Sequence, residues 1–216
     1  MKAYPVFFDL EGRTVTVVGG GEVALRKIRD LLEAGASVRI ISPVVHEQIL
    51  SFGSLFPGKL EIIQKDYSKG DLAGSFLVYT TSDNTGVNHA ASIEAGLLGI
   101  PVNMTDDPER STFFIPSFIR KGDFMLAVST GGASPAMAAR LRRSLSEHVP
   151  PHIDKILDAL SHARDVLKTS PEFSSLVSVQ RGDLLRSLVN DDSLLVELAK
   201  ADAEGKLVEF LLKLGE

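Results

Sequence analysis

Hydrophobic positions along this chain switch repeatedly between continuous short runs and a three-to-four spacing. Thr14 to Val18 (TVTVV) is a β-branched run, read as a strand, that stops at Gly19-Gly20-Gly21. From Glu22 the period changes: Val23, Ala24, Lys27, Ile28, Leu31 and Leu32 predict a helix ending near Gly35. Val38 to Ile41 predicts a second strand. Strand, glycine turn, helix and strand thus fit within residues 14–41, the size of one βαβ unit.

The alternation continues with a short helix around His46 to Phe52 and a strand at Leu60 to Gln64. Another strand follows at Phe76 to Thr80, then a helix from Thr85 to Leu98 and a strand at Pro101 to Met104. This order implies a mostly parallel sheet covered on both faces, a Rossmann-like α/β unit. Near Asp106-Asp107-Pro108 the alternation stops. Phe113 to Ile119 and Phe124 to Ser129 predict two strands joined at Lys121-Gly122-Asp123. Gly131 to Pro135 then opens a helix, with Ser134 as N-cap and Pro135 as first helical residue. Beyond Pro150-Pro151 the pattern is helical. Ile153, Ile156, Leu157, Leu160, Val166 and Leu167 form one apolar stripe, and Leu207, Phe210, Leu211 and Leu214 form another. The expected division is a Rossmann-like domain over 1–110, a small α+β segment over 111–148 and a helical domain over 149–216.

Composition narrows the function. Among the 216 residues, hydrophobic types make up 44% and charged types 24%, enough to bury a real core. The net charge of −5 argues against a general affinity for nucleic acid or anionic membrane. No apolar run approaches the roughly 18 residues of a membrane helix, and no signal peptide is visible. The absence of cysteine excludes disulfides, thiolate catalysis and cysteine-held clusters. The five histidines, His46, His89, His148, His152 and His162, show no ligand spacing, and Pro150-Pro151 breaks the one i,i+4 pair. No protein metal site is expected. A cytoplasmic enzyme or binding protein remains.

Gly19, Gly21 and Ala24 give G-x-G-x-x-A between a strand and a helix. The first glycine permits the tight turn and the second admits a pyrophosphate to the backbone. Ala24 lets the helix pack close, and the helix N-terminus offers free N–H groups, so a dinucleotide site is expected. The ribose-binding carboxylate usual at the end of the second strand is missing. Ile41, Ser42 and Pro43 stand there instead, with Ser42 as a donor to a ribose hydroxyl and Arg39 near enough in sequence to meet a 2′-phosphate. The motif alone leaves NAD and NADP both open.

Four ordered blocks carry a resemblance. They are Gly19-Gly20-Gly21-Glu22-Val23-Ala24-Leu25-Arg26-Lys27, Val102-Asn103-Met104-Thr105-Asp106-Asp107-Pro108, Phe114-Ile115-Pro116-Ser117, and Val128-Ser129-Thr130-Gly131-Gly132-Ala133-Ser134-Pro135. Together they resemble the precorrin-2 dehydrogenase family, the dehydrogenase/ferrochelatase module of siroheme synthases, from about residue 4 to about residue 165. The resemblance implies a cytoplasmic homodimer that oxidises precorrin-2 to sirohydrochlorin with NAD, and leaves Fe²⁺ insertion open. It also implies a Rossmann domain, a middle dimerisation segment and a helical C-terminal domain.

Asp106 matches the family's proposed catalytic aspartate, and Asp107 is its adjacent competitor. Cofactor contacts are expected at Gly19, Gly21, Glu22, Val23, Ala24, Ser42, Pro43, Thr80, Thr81 and Asn103. Substrate contacts are expected at Arg110, Ser129, Thr130, Gly131, Gly132 and Arg140. Charge supports the second set: Arg110, Arg120, Lys121, Arg140, Arg142 and Arg143 face only Asp123 in sequence, so residues 110–143 carry +5 within an acidic chain. Such a zone suits an anionic small molecule. The rival class is a non-catalytic dinucleotide-sensing domain, which would have no use for Asp106 beside that zone.

Overall fold

A computed structural model describes residues 3–214 and divides the chain into two compact units, Tyr4–Ile115 and the remainder from Pro116. In the first unit, β1 (Thr14–Val18), α1 (Glu22–Glu33), β2 (Ser37–Ile41), α2 (Glu47–Leu55), β3 (Leu60–Ile63), β4 (Leu77–Thr80), α3 (Thr85–Leu97) and β5 (Val102–Met104) follow in order. All four strand pairings are parallel, in the order β3-β2-β1-β4-β5. The order reverses between β1 and β4, which makes the carboxyl ends of those two strands the switch point where open α/β sheets take ligands.

Alternation along the strands sorts the core onto two faces. Val15, Val17, Ile40 and Tyr79 pack with α1 and α2, while Val18, Val78, Val102 and Met104 pack with α3. Burial on both faces explains why the strands read as continuous apolar runs. Each such Val or Ile contributes about 1.5–3 kcal/mol.

The connection from β3 to β4 carries no helix. Glu94 of α3 holds it instead: the carboxylate accepts from Tyr67 Oη at 2.5 Å, Gly70 N–H at 3.0 Å and Leu72 N–H at 3.1 Å. Leu72 is thereby fully buried against α3. This carboxylate and burial push the Tyr67 phenol above its ordinary value, burial being the larger cause.

The second unit opens with a hairpin, β6 (Ser117–Lys121) and β7 (Phe124–Val128), antiparallel with Lys121 opposite Phe124. Gly122 takes a φ of 55° in its two-residue loop, which glycine allows without strain. α4 (Pro135–Ser146) packs on this hairpin. The strand expected from Phe113 starts only at Ser117. Thr112 N–H donates to the Val102 carbonyl, and Phe113 packs edge-on against Tyr79 at 5.3 Å, so residues 112–113 are spent on the first unit. Pro116 then has no N–H to give a ladder.

Helices α5 (Ile153–Thr169), α6 (Ser178–Val189), α7 (Asp192–Ala203) and α8 (Leu207–Leu214) complete the described chain. Their core is Ala159, Ala163, Leu167, Leu188, Leu198 and Leu211 with Phe173 from the linking turn. Of the expected α5 stripe, Ile156 and Leu167 are buried and Ile153, Leu157, Leu160 and Val166 are half-buried; Ala159 and Ala163 fill the centre. No helix among the described residues is long and apolar enough to cross a membrane.

Candidate active site

The glycine turn sits at the switch point, and close backbone approach demands glycine at two of its three positions. Gly19 has a φ of 112°, and a Cβ there would lie 2.7 Å from Ser82 N and the Thr81 carbonyl carbon. Gly20 is closed in as tightly, with a Cβ 2.5 Å from the Val44 carbonyl oxygen. Around Gly21 nothing lies within 4 Å of a Cβ. Gly21 is also the N-cap of α1 and leaves the N–H groups of its first turn without a side-chain cap. Ala24 is fully buried against the sheet. An uncapped N-terminus beneath an open glycine fits a pyrophosphate, because it offers N–H donors and a positive dipole with no side chain in the way.

Ser42, Thr80 and Thr81 border this turn. Ser42 donates to the Val44 carbonyl at 2.7 Å, so it offers a ribose its lone pairs rather than the proton expected of it. Pro43 beside it is exposed. Thr81 donates to the Val18 carbonyl at 3.1 Å and braces the end of β1. The fully buried Thr80 hydroxyl has no hydrogen-bond partner, an orphan polar group at the end of β4. Asn103 is buried, and its amide donates to the Phe113 carbonyl at 3.0 Å, which ties β5 to the segment leaving the domain.

Arg39 does not reach toward a 2′-phosphate. Its guanidinium is held by Glu61 at 2.9 Å and donates to the Ala73 carbonyl at 3.3 Å.

The two adjacent carboxylates divide their work. Asp107 accepts from Arg110 N–H, pairs with Arg110 Nε at 3.1 Å, and so caps the short 3-10 turn Pro108–Arg110. Asp106 is exposed one residue earlier and makes no hydrogen bond or ion pair among the described residues. It follows Thr105, whose N–H donates to the Thr80 carbonyl at 3.2 Å, so Asp106 stands at the same carboxyl edge as the glycine turn.

In the second unit, Ser134 accepts from Met137 N–H at 3.2 Å and caps α4 as expected. Thr130 Oγ1 accepts from Ser134 N–H and donates to the Ser134 carbonyl, which closes the turn. Ser129 accepts from Gly131 N–H at 3.1 Å. Gly131 and Gly132 both have positive φ, 62° and 87°, and are exposed, as is Arg140. Arg142 faces inward and donates to the Phe118 carbonyl at 3.4 Å. Among the described residues, no three histidine or carboxylate side chains group to hold a metal ion.

Comparison with known proteins places this geometry. A family described as NAD(P)-binding matches residues 6–117, and one described as the central part of a sirohaem biosynthesis protein matches residues 126–148. The chain belongs to the NAD(P)-binding family of the siroheme synthases and precorrin-2 dehydrogenases. Siroheme synthase 2 of Aeromonas salmonicida is 40% identical over 168 residues, which are 78% of this chain and 34% of that protein. The siroheme synthase of Methylobacillus flagellatus is 36% identical over 78% of this chain and 36% of its own length. The chain thus spans about a third of the length of these curated relatives. A solved structure, SirC, precorrin-2 dehydrogenase, matches with a TM-score of 0.74 and 27% identity over 99% of both chains. Membership in this family covers both units, since the structural match extends through the helices after Ser170, where the sequence resemblance fades.

Sequence reasoning missed three residues of the site and its frame. Gly20 had its signal in the run of three glycines. His46 and Glu94 had none, because their partners lie far off in sequence or on other elements.

Proposed function

We propose that the protein oxidises precorrin-2 to sirohydrochlorin with NAD in the cytoplasm. One observation carries the reading: an uncapped helix N-terminus and a carboxylate with no partner among the described residues share the carboxyl edge of one sheet. Removing two hydrogens from a macrocycle requires a hydride acceptor and a base. NAD supplies the acceptor when bound. Gly21 and the first turn of α1 bind its pyrophosphate, and Ser42 accepts from a ribose hydroxyl. Asp106 takes the proton, being exposed at the carboxyl edge of the sheet and not committed to another group among the described residues. Arg110 in the first unit offers a contact to a substrate carboxylate, and Arg140 and the N–H groups of Gly131 and Gly132 are the anion-binding candidates of the second unit taken by itself.

Two finer points belong to this reading. The protein works as a homodimer, and the exposed apolar stripe on α4 supplies the contact surface. Fe²⁺ is a second substrate, for which the tetrapyrrole nitrogens are ligands and Asp106 removes pyrrole protons.

The test is anaerobic NADH formation from precorrin-2 and NAD by the native chain and by Asp106→Asn. The native chain turns over, and the variant loses about 10²–10⁴-fold in rate, the usual range for a general base, with NAD affinity unchanged. Binding of NAD without oxidation by the native chain would instead mark a dinucleotide sensor. Full activity in the variant would leave the reaction standing and remove Asp106 as its base.

A further inference from the structure

Three contacts converge on His46, just beyond the end of β2. Its backbone N–H donates to the Gly20 carbonyl at 2.8 Å. Its ring Nδ1 accepts from Gln48 N–H at 3.2 Å, as N-cap of α2. With Nδ1 accepting, the ring proton is on Nε2, which faces Glu22 Oε1 at 2.9 Å. Glu22 is the first residue of α1, one position beyond the open Gly21.

That position matters electrostatically. A carboxylate at a helix N-terminus is attracted by the same dipole and free N–H groups that would hold a pyrophosphate. Left to itself, Glu22 would compete with the phosphates and repel them. We infer that His46 is a positioning residue for the dinucleotide, which draws the Glu22 carboxylate aside and leaves the first-turn N–H groups of α1 to the pyrophosphate. The inference rests on the cofactor reading above. Capping alone does not account for the arrangement, because Nδ1 satisfies α2 without any contact to Glu22. The same ring therefore joins the two helix N-termini that border the site, while its backbone pins the glycine turn from behind.

Calorimetric titration of NAD⁺ into the native chain, His46→Asn and the double variant His46→Asn/Glu22→Gln tests this. Asparagine keeps the cap of α2 but is too short to hold Glu22. Because the Glu22 side chain is 74% exposed, the effect is modest. His46→Asn weakens NAD⁺ binding about fivefold, the net worth of one hydrogen bond, and adding Glu22→Gln restores native affinity. Adenosine, which carries no phosphate, binds all three proteins alike. Native affinity in His46→Asn, a double variant as weak as the single one, or equal weakening for adenosine would each overturn the inference. If the native chain takes up no NAD⁺, the cofactor reading itself fails, an outcome distinct from the other three.

Discussion

At the residue scale, the three glycines of one turn differ in what they do. Gly19 and Gly20 are constrained by the protein's own backbone, whereas a Cβ on Gly21 would meet nothing within 4 Å, so its constraint is the pyrophosphate proposed above. The two kinds of constraint separate experimentally. Gly20→Ala drives a Cβ into the Val44 carbonyl and destabilises the fold by about 1–3 kcal/mol, the range for overpacking, seen as a lower midpoint in urea unfolding. Gly21→Ala leaves that midpoint nearly in place, because its Cβ meets nothing within 4 Å, and weakens NAD⁺ binding where the pyrophosphate sits as proposed above. The G-x-G-x-x-A spacing was legible because it encodes a turn that few other residues allow. The roles of Asp106 and Asp107 were not separable by spacing. Only the structure commits Asp107 to Arg110 and leaves Asp106 free.

At the scale of elements, periodicity located every helix and strand of the first unit to within a few residues. Local chemistry helps: Asn84 caps α3 in this unit, and in the second unit Ser134 caps α4 with Pro135 as its first residue, as the sequence there suggests. Elements held by distant partners were less legible. Glu94 carries no sequence signal, yet it is buried and braces the connection between β3 and β4, which has no helix of its own.

His162 is a similar case on α5, where its Nδ1 meets Asp202 of α7 at 2.9 Å. The hydrogen bond to Asp202, followed by the charge of that carboxylate, raises the His162 pKa above its ordinary value near 6.5. A raised pKa in the folded state means that protonated His162 stabilises the fold. The contribution is complete below about pH 6.5 and is lost as pH rises through the higher folded value. Urea unfolding of the native chain therefore shows a small stability loss over that window, and Asp202→Asn abolishes it. An unchanged pH profile in the variant would remove this pair as its source.

At the scale of the whole molecule, α4 presents Met137, Leu141 and Leu145 on one face, each 43–46% exposed, while Ala138 is buried. Three large apolar residues in one stripe suit a second copy of the chain better than water. For the homodimer proposed above, Leu141→Glu then shifts the mass measured by sedimentation from dimer to monomer without unfolding the protein. Equal masses for both would place the dimer contact elsewhere. By itself the sequence determined the βαβ character, the glycine turn, the hairpin followed by a capped helix and the helical tail, because period and turn chemistry act over a few residues. Only the tertiary structure decided the strand order β3-β2-β1-β4-β5, the engagement of Arg39 by Glu61, the late start of β6 and the convergence of Glu22, His46 and Gly20. Those features depend on contacts between residues distant in the chain or carried on different elements, where spacing carries no information and packing and charge choose the partner.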